Sequence, residues 1–335
     1  MPTIHDVARE AGVAPITVSR VINNKNYVAE ETRKRVNAAI QRLGYLPNSL
    51  ARSLRSHKTH ILALVLADIT NPFWTTVARG VEDAASENGF NVILVNTDES
   101  EIEQKRHLQA VLEKQVDGLL LAPTGDPFQA IDMIRAQGVP LVILDRRPPG
   151  PLAVDVVRCD SEGGAYAMTQ YLFSLGHRAI AMMCGPCGVS TSDDRVSGFQ
   201  RAYQAAGWTP GPIQYGEFTV ESGYAMANKA LEATPRPTAL FAGNNFIAMG
   251  TLKALRDAGL RVPEDISVVG FDDLPQALVV EPFLTVVSQP AYLMGHKGNE
   301  VLIARLSGLA PETPEEIILP TQIIQRRSTA AILPH

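Results

Sequence analysis

Cysteine is scarce in this sequence, with three residues in 335. That excludes a disulfide-stapled secreted scaffold and fits a reducing compartment. Long apolar runs are missing too. The longest, such as Ile61–Ala67, fall far short of the roughly 20 residues a membrane-spanning helix needs. No signal-peptide stretch opens the chain, because Met1-Pro-Thr3 runs straight into a helical pattern. A cytoplasmic protein is expected. No His/Cys cluster has zinc-finger spacing. No Gly-x-Gly-x-x-Gly follows the first apolar strand, although Gly163-Gly164 opens a helix, and there is no Walker A or Gly-x-Ser-x-Gly sequence. These absences argue against nicotinamide, nucleotide-hydrolysing and serine-hydrolase chemistry, so the expectation is no catalytic residue, metal or cofactor. Cys184-Gly-Pro-Cys187 spells a redox pair, but in such a pair the first cysteine opens a helix. Here Gly188, Val189 and Ser190 follow, and the motif reads as a strand end and a turn. His177 follows a helix end and reads as a cation complementing the helix dipole, not as a catalytic group.

The chain is long enough for two or three domains, with ordinary globular composition of 45% hydrophobic and 19% charged residues. Its net charge of −5 conceals a split. Residues 1–60 hold ten Lys/Arg against four Asp/Glu, and residues 61–335 hold 20 against 31. A small basic module precedes a large acidic one, and Asn48-Ser-Leu-Ala-Arg-Ser-Leu-Arg55 joins them.

The basic module reads as three helices. Thr3-Ile-His-Asp6 is close to a capping box, Ile4, Val7, Ala8 and Ala11 give one apolar face, and Gly12 ends the first helix. Pro15 stands at the first position of a second helix, where proline is tolerated. Val18, Val21 and Ile22 turn inward from it. Glu30–Leu43 is a third helix. Two short helices joined by a glycine turn, then a third, describe a helix-turn-helix domain. Its second helix should enter the major groove, with Pro15, Ile16, Thr17 and Arg20 at the base edges. Arg20 suits a bidentate contact to guanine and Ile16 a thymine methyl. Thr3, Ser19, Asn23 and Tyr27 are placed for phosphates.

The wording of this module strongly resembles the headpiece of the LacI/GalR family of bacterial transcription regulators. The likeness runs from Thr3-Ile-His-Asp-Val-Ala-Arg-Glu-Ala-Gly-Val-Ala-Pro-Ile-Thr-Val-Ser-Arg-Val-Ile-Asn-Asn24 through Val28-Ala-Glu-Glu-Thr-Arg33, Leu43-Gly-Tyr-Leu-Pro-Asn48 and Ala51-Arg-Ser-Leu54. The resemblance implies a lambda-repressor-like helix-turn-helix fold and a homodimer on a pseudo-palindromic double-stranded DNA operator. It adds Thr32, Tyr45, Asn48, Ala51, Arg52 and Leu54 to the DNA-contacting set. The stretch Asn48–Arg55 is then a hinge that becomes helical on operator, with Leu54 wedged between minor-groove base pairs. Eight residues are too short for a stable isolated helix, so such a hinge needs a partner. The family often carries polar or aromatic residues where Pro15 and Ile16 stand here, so Arg20 and Ile16 must carry more of the readout.

From Ile61 apolar strands alternate with amphipathic helices. Strands are expected at Ile61–Ala67, Asn91–Asn96, Gly118–Ala122, Pro140–Leu144, Val154–Cys159, Ala179–Cys184, Ala239–Ala242 and Ile266–Phe271. Helices are expected at Thr75–Asn88, Glu101–Lys114, Phe128–Gln137, Glu162–Leu175, Val196–Ala206, Ser222–Glu232 and Ile247–Ala258. Two successive βαβ sets imply two doubly wound, Rossmann-like lobes, with chain crossings near 158–161, 286–291 and 318–322. Ligands of open α/β sheets bind beyond the carboxyl ends of the strands. The residues there are Asn71, Phe73, Trp74, Asp145, Arg146, Thr191, Arg195, Phe218, Asn244, Asp272 and Gln289. Aromatic faces stack on the apolar face of a sugar ring, while carboxylates, guanidiniums and amides bond its hydroxyls. Taken singly, Asp272 and Asn244 are equally turn formers, and Phe73 and Trp74 equally core.

The family resemblance covers this region too and implies a periplasmic-binding-protein type I sensor fold. It divides the chain into a DNA-binding domain at 1–46, a hinge at 47–58 and an effector-binding, dimerising domain at 59–335. One lobe would comprise about 59–159 and 290–319, the other about 160–289 and 320–332. It matches nine of the eleven, all but Asn71 and Thr191, to the pocket of pentose binders. A small-molecule effector is therefore expected, first a monosaccharide such as a pentose or a related polyol, next a nucleoside or purine. Asn245 stands where the family usually has aspartate, which removes a charge beside the pocket. No heptad pattern follows Gln325-Arg-Arg-Ser-Thr329, so a dimer rather than a tetramer is expected. The whole reads as a ligand-controlled transcription regulator, a repressor. A sugar-binding transport component is the rival from another class, and it predicts a signal peptide and no helix-turn-helix.

Overall fold

The computed structural model of the chain describes residues 2–23, 28–45, 58–151, 154–274 and 281–332. The chain forms two compact units, Met1–Thr59 and His60–His335. In the first, α1 (Ile4–Ala11) begins at a complete capping box, in which Asp6 N–H donates to the Thr3 hydroxyl and the Asp6 carboxylate accepts from Thr3 N–H. It ends at Gly12, whose φ of 62° is the left-handed geometry that glycine adopts at no steric cost. α2 (Pro15–Ile22) starts with proline in its first turn. α3 (Glu30–Leu43) carries Glu30 and Glu31 at its positive end and Arg42 at its negative end. Val7, Ala8, Ala11, Val18, Val21, Val36 and Ala39 form the core. Outside it, Arg42 bonds Glu10 at 2.5 Å, joining α3 to α1.

The second unit contains two six-stranded sheets. The first has the order β11-β5-β4-β3-β1-β2, with β1 Ile61–Leu66, β2 Asn91–Asn96, β3 Gly118–Leu121, β4 Leu141–Leu144, β5 Asp155–Cys159 and β11 Glu316–Leu319. The second has the order β12-β10-β9-β8-β6-β7, with β6 Ile180–Cys184, β7 Ile213–Tyr215, β8 Ala239–Ala242, β9 Ser267–Phe271, β10 Thr285–Ser288 and β12 Gln322–Ile324. Every pairing is parallel except β10 with β12. β1, β3, β4, β6, β8 and β9 are apolar and buried almost throughout, as strands covered on both faces must be. Helices α4 (Pro72–Glu87), α5 (Glu101–Glu113), α6 (Pro127–Ala136) and α11 (Ala291–Leu306) cover the first sheet. Helices α7 (Ser161–Ser174), α8 (Ser190–Ala206), α9 (Val220–Leu231) and α10 (Asn245–Asp257) cover the second. Each sheet therefore has its own pair of cores.

The chain passes from one sheet to the other between β5 and α7, between β10 and α11, and between β11 and β12. Helix pairs on each lobe cross closely at glycines. A Cβ on Gly295 of α11 would stand 2.0 Å from Val77 O of α4, and one on Gly250 of α10 would stand 2.0 Å from Val220 O of α9.

Two expectations need correction. The helix expected from Val196 starts at Ser190, because no helix breaker follows Gly188 and the first turn is free to continue backward. Thr191 and Arg195 therefore ride on a helix. His177 is not a cation on a helix end. It is buried, with Nδ1 2.9 Å from Thr238 Oγ1 and Nε2 3.1 Å from Ala330 O, and burial lowers its pKa. Its role is to tie down the C-terminal segment. Cys184 ends β6, is buried, and has a thiol pushed up by desolvation, while Cys187 is exposed and both are free. Among the described residues no group of His, Cys, Asp and Glu could hold a metal, and no helix is long and apolar enough to cross a membrane.

Candidate functional site

Two sites take shape, one in each unit. In the first, Ile16 and Arg20 are exposed one turn apart on α2, while Val18 and Val21 face the core. An isoleucine 57% exposed on a helix of eight residues is a large apolar group held in water. Pro15, Thr17 and Ser19 are partly exposed beside them, and Asn23 is exposed. The Asn23 amide donates to Ser19 O at 2.7 Å. No side chain caps the start of α2; Pro15 has no N–H, the Thr17 and Val18 N–H groups donate to Ala14 O, and the positive end of the dipole is left open to an anion. Thr3 is exposed at the start of α1, and Thr32 and Tyr45 are partly buried. Tyr27, Asn48, Ala51, Arg52 and Leu54, and with them the hinge, lie outside the described residues.

In the second unit all eleven candidate residues surround one chamber between the sheets: Asn71, Phe73, Trp74, Asp145, Arg146, Thr191, Arg195, Phe218, Asn244, Asp272 and Gln289. All are buried except Phe218, which is half-buried. The chamber is tight, about 30 Å³, room for about one water; residues of both lobes line it, so a larger occupant needs the lobes to part and then touches both. Asp68 and Glu99 complete the lining. Sequence reasoning missed both. Asp68 stands two residues past β1 and Glu99 three past β2, so the rule that found the others would have found them had it been applied to every strand.

The lobes use one device twice. Asp145 follows β4 and Asp272 follows β9, with φ of 65° and 66°. Each amide donates to the next strand, Asp145 N to Val157 O at 2.9 Å and Asp272 N to Val287 O at 3.0 Å. Left-handed backbone is uncommon outside glycine, with aspartate among the more tolerant residues. Here the strand bond holds it and turns each carboxylate into the cleft. Helix starts supply the rest. Asn71 caps α4 by accepting from Phe73 N–H at 3.0 Å, and Asn244 caps α10 by accepting from Ile247 N–H at 2.8 Å. Thr191 lies in the first turn of α8. Three positive helix ends thus meet a chamber lined by four carboxylates and two guanidiniums.

These charges are unevenly matched. Arg146 forks onto Glu99 at 2.6 and 2.5 Å. Burial would lower its pKa, but the Glu99 bonds and charge outweigh that and hold it above the ordinary value. Its guanidinium lies between Trp74 and Phe218, 6.0 and 5.4 Å from the ring centroids. Arg195 donates to Gly243 O at 2.6 Å and stacks 4.2 Å over Phe271. Asp272 accepts from Gln289 Nε2 at 2.5 Å. Burial raises its pKa, partly offset by Arg195 and Gln289. Asp145 is pushed up to about 6 by desolvation, against the pull of Arg195 and Arg146. Among the described residues, Asp145 Oδ1, Arg146 Nε, Arg195 Nε and Gln289 Oε1 are buried without a hydrogen-bond partner. An unpaired buried polar group costs about 1–3 kcal/mol, and four around one chamber make a template of two donors and two acceptors.

Asn245 behaves differently from a lost charge. It is buried, and its amide pairs head-to-tail with that of Asn71, at 3.1 and 2.9 Å.

Comparison with known proteins identifies the setting. Residues 3–48 match the family described as bacterial regulatory proteins of the lacI family, and residues 59–327 match periplasmic binding proteins and the sugar-binding domain of the LacI family. The ribose operon repressor of Escherichia coli K12 is 37% identical over 334 residues, 98% of this chain and 100% of that protein. A transcriptional repressor named PurR from Photobacterium profundum is 38% identical over 309 residues, 91% and 92% of the two chains. The crystal structure of the lac repressor dimer bound to operator and the anti-inducer ONPF superposes with a TM-score of 0.87 at 28% identity, covering 98% of this chain and 99% of that one.

Proposed function

The chain belongs to the LacI family of bacterial regulatory proteins, and from that premise we propose that it is a cytoplasmic, dimeric repressor whose operator affinity is set by a pentose bound between its lobes. The single observation that carries the effector half is the chamber. Its four unpartnered polar atoms, two carboxylates held in left-handed backbone and flanking aromatic rings have no structural task that an apolar filling would not do better. A polyhydroxylated ring can both accept and donate at each of its hydroxyls, so it satisfies acceptors and donors together. Ribose is the first pentose to test, given the 37% identity to a ribose operon repressor.

In this reading Asp145 and Asp272 accept from hydroxyls, Arg146, Arg195, Asn71, Asn244 and Gln289 complete their pairing, and Phe73, Trp74 and Phe218 cover the ring faces. Thr191 adds a hydroxyl. Residues 1–46 bind DNA, 47–58 are the hinge, and 59–335 sense the effector and dimerise. Pro15, Ile16, Thr17 and Arg20 face base edges. Thr3, Ser19, Asn23, Tyr27, Thr32, Tyr45 and Asn48 hold the backbone, and Ala51, Arg52 and Leu54 occupy the minor groove. The effector acts by binding the two lobe arrangements with different affinity. A purine or nucleoside is the second reading, favoured by the 38% identity to a repressor named PurR.

A thermal-shift screen of sugars, polyols, purines and nucleosides tests the effector. A pentose should raise the unfolding midpoint, and stabilisation by purines alone would replace the first reading with the second. Leu54→Gly should weaken operator binding while leaving effector affinity of the free protein unchanged. Loss of both would make the hinge a packing element.

A further inference from the structure

Of the residues that hold the lobes together, only Asn71 also lines the chamber. Among the described residues, side-chain links cross the cleft on its flanks at two places. One is the amide pair, with Asn71 at the start of α4 in the first lobe and Asn245 at the start of α10 in the second. The other is ionic. Arg147 follows β4 in the first lobe and forks onto Asp194 of α8 in the second, at 2.5 and 2.9 Å. Arg158 of β5 approaches the same carboxylate at 3.8 Å. Asn245, Arg147 and Asp194 do not line the chamber. Each is nonetheless the chain neighbour of a residue that does: Asn244, Arg146 and Arg195 respectively.

We propose that Asn71–Asn245 and Arg147–Asp194 form a clasp that sets the free energy of closing the lobes over the effector, making Asn245, Arg147 and Asp194 positioning residues for the response. The inference rests on the effector reading above and adds how that site is regulated. Both links need the lobes to be together, and so does a ligand that must touch both walls. Ligand and clasp are therefore linked through one closing step, and a weaker clasp is felt as weaker binding. The amide pair suits this task. Each amide both donates and accepts, so closing buries no unpaired group there. Two like-signed helix ends meet without a charge between them. An aspartate at 245 could accept from Asn71 but could not donate to it.

A clasp makes a prediction that a lining residue does not. Because Arg147 and Asp194 do not line the chamber, their loss weakens every ligand by the same factor, whereas loss of Asn245 also frees the chamber-lining Asn71 amide. A lining residue, by contrast, discriminates between ligands according to which hydroxyls they carry. A net hydrogen bond of about 0.5–1.5 kcal/mol corresponds to roughly 2- to 12-fold in affinity.

The test uses the full-length protein carrying Trp208→Phe, so that Trp74 in the chamber wall is the sole tryptophan. Acrylamide quenching of Trp74 and the dissociation constants of ribose and of each other ligand found by the screen are measured for Asn245→Ala, Arg147→Ala, Asp194→Ala and the Arg147→Ala/Asp194→Ala double variant. The expected result is stronger quenching without ligand in all four variants and, for the Arg147 and Asp194 variants, a common loss of roughly 2- to 12-fold for every ligand. The double variant should be no worse than the worse single one, since either change already removes the link. Unchanged quenching, or losses in the Arg147 and Asp194 variants that differ from ligand to ligand, would overturn the clasp. If no sugar or nucleoside binds the parent, the effector reading fails, and the quenching series still decides whether these residues hold the lobes together.

Discussion

The two units hold their candidate site residues in opposite ways. The small basic one keeps them in water: Ile16, Arg20 and Asn23 are exposed on and beside α2, over a core of seven small and medium apolar residues. The large one buries them: Asp145, Arg146, Arg195 and Asp272 are each at most 6% exposed, and several of their atoms lack partners. The difference matches what each must recognise. A polyanion is bound by many contacts, each modest and weakened by salt, and read by a few side chains reaching base edges. A small neutral ring offers few contacts, so each must be strong. Burial makes it so by leaving the site's own groups unpaired when the wrong molecule enters.

Four substitutions would break or sharpen this contrast. The largest effect is expected at Asp272. Replacement by alanine removes a buried acceptor and leaves Gln289 Nε2 without its partner, so effector affinity measured by calorimetry should fall by at least about 100-fold, with operator binding retained in the absence of effector. A normal response would show that the chamber is not the effector site. Next comes Arg20→Ala in the exposed set. Specific operator affinity should fall roughly 10- to 100-fold, the loss of one bidentate base contact, while binding to random-sequence DNA changes little. Equal losses on both DNAs would reduce Arg20 to a phosphate contact.

The third substitution, Asp145→Asn, should separate stability from function. The buried carboxyl titrates near 6, above its ordinary value of 3.8, so the folded state binds its proton more tightly than the unfolded chain does. The contribution of Asp145 to stability therefore rises as pH falls from above 6 towards 4, and the penalty for its buried charge is complete above about 7. Asp145→Asn should raise unfolding stability at pH 8 by about 1–3 kcal/mol, with a smaller gain at pH 5, while weakening the effector. A variant that is destabilised at pH 8 would mean that the carboxylate is structural. The smallest effect belongs to His177. Its pKa is lowered by burial, so the unfolded chain takes up its proton first, and its contribution to stability declines as pH falls below about 6.5. His177→Gln should remove that contribution from chemical unfolding curves, and an unaltered pH profile would mean that His177 has the same pKa folded and unfolded.

Much of this was legible in the sequence, for identifiable reasons. The strands of both sheets that lie between helices announce themselves as apolar runs, and the eleven chamber residues follow from the strand-end rule because a parallel α/β sheet allows few other places for a site. Short or mixed segments were not legible. β7 has three residues, and α11 carries two glycines and three charged side chains among its sixteen residues. It is held in place by close packing on α4, a tertiary matter rather than a local one. The start of α8 was misplaced because Ser190, Thr191 and Ser192 look like loop residues until the helix behind them is known. The amide pair was beyond reach altogether. Asn71 and Asn245 lie 174 positions apart, and only the meeting of two helix starts across the cleft makes Asn245 a partner rather than a missing charge.

The central claim is that one small molecule in the buried chamber governs DNA binding by the exposed helix. Operator affinity measured at fixed salt with and without saturating ribose, for the parent and for Asp272→Ala, tests it most directly. Ribose should change the parent's operator affinity by about tenfold or more, which needs only about 1.4 kcal/mol of coupling, and should leave Asp272→Ala unmoved. A parent indifferent to ribose, or a variant that responds as the parent does, would contradict it.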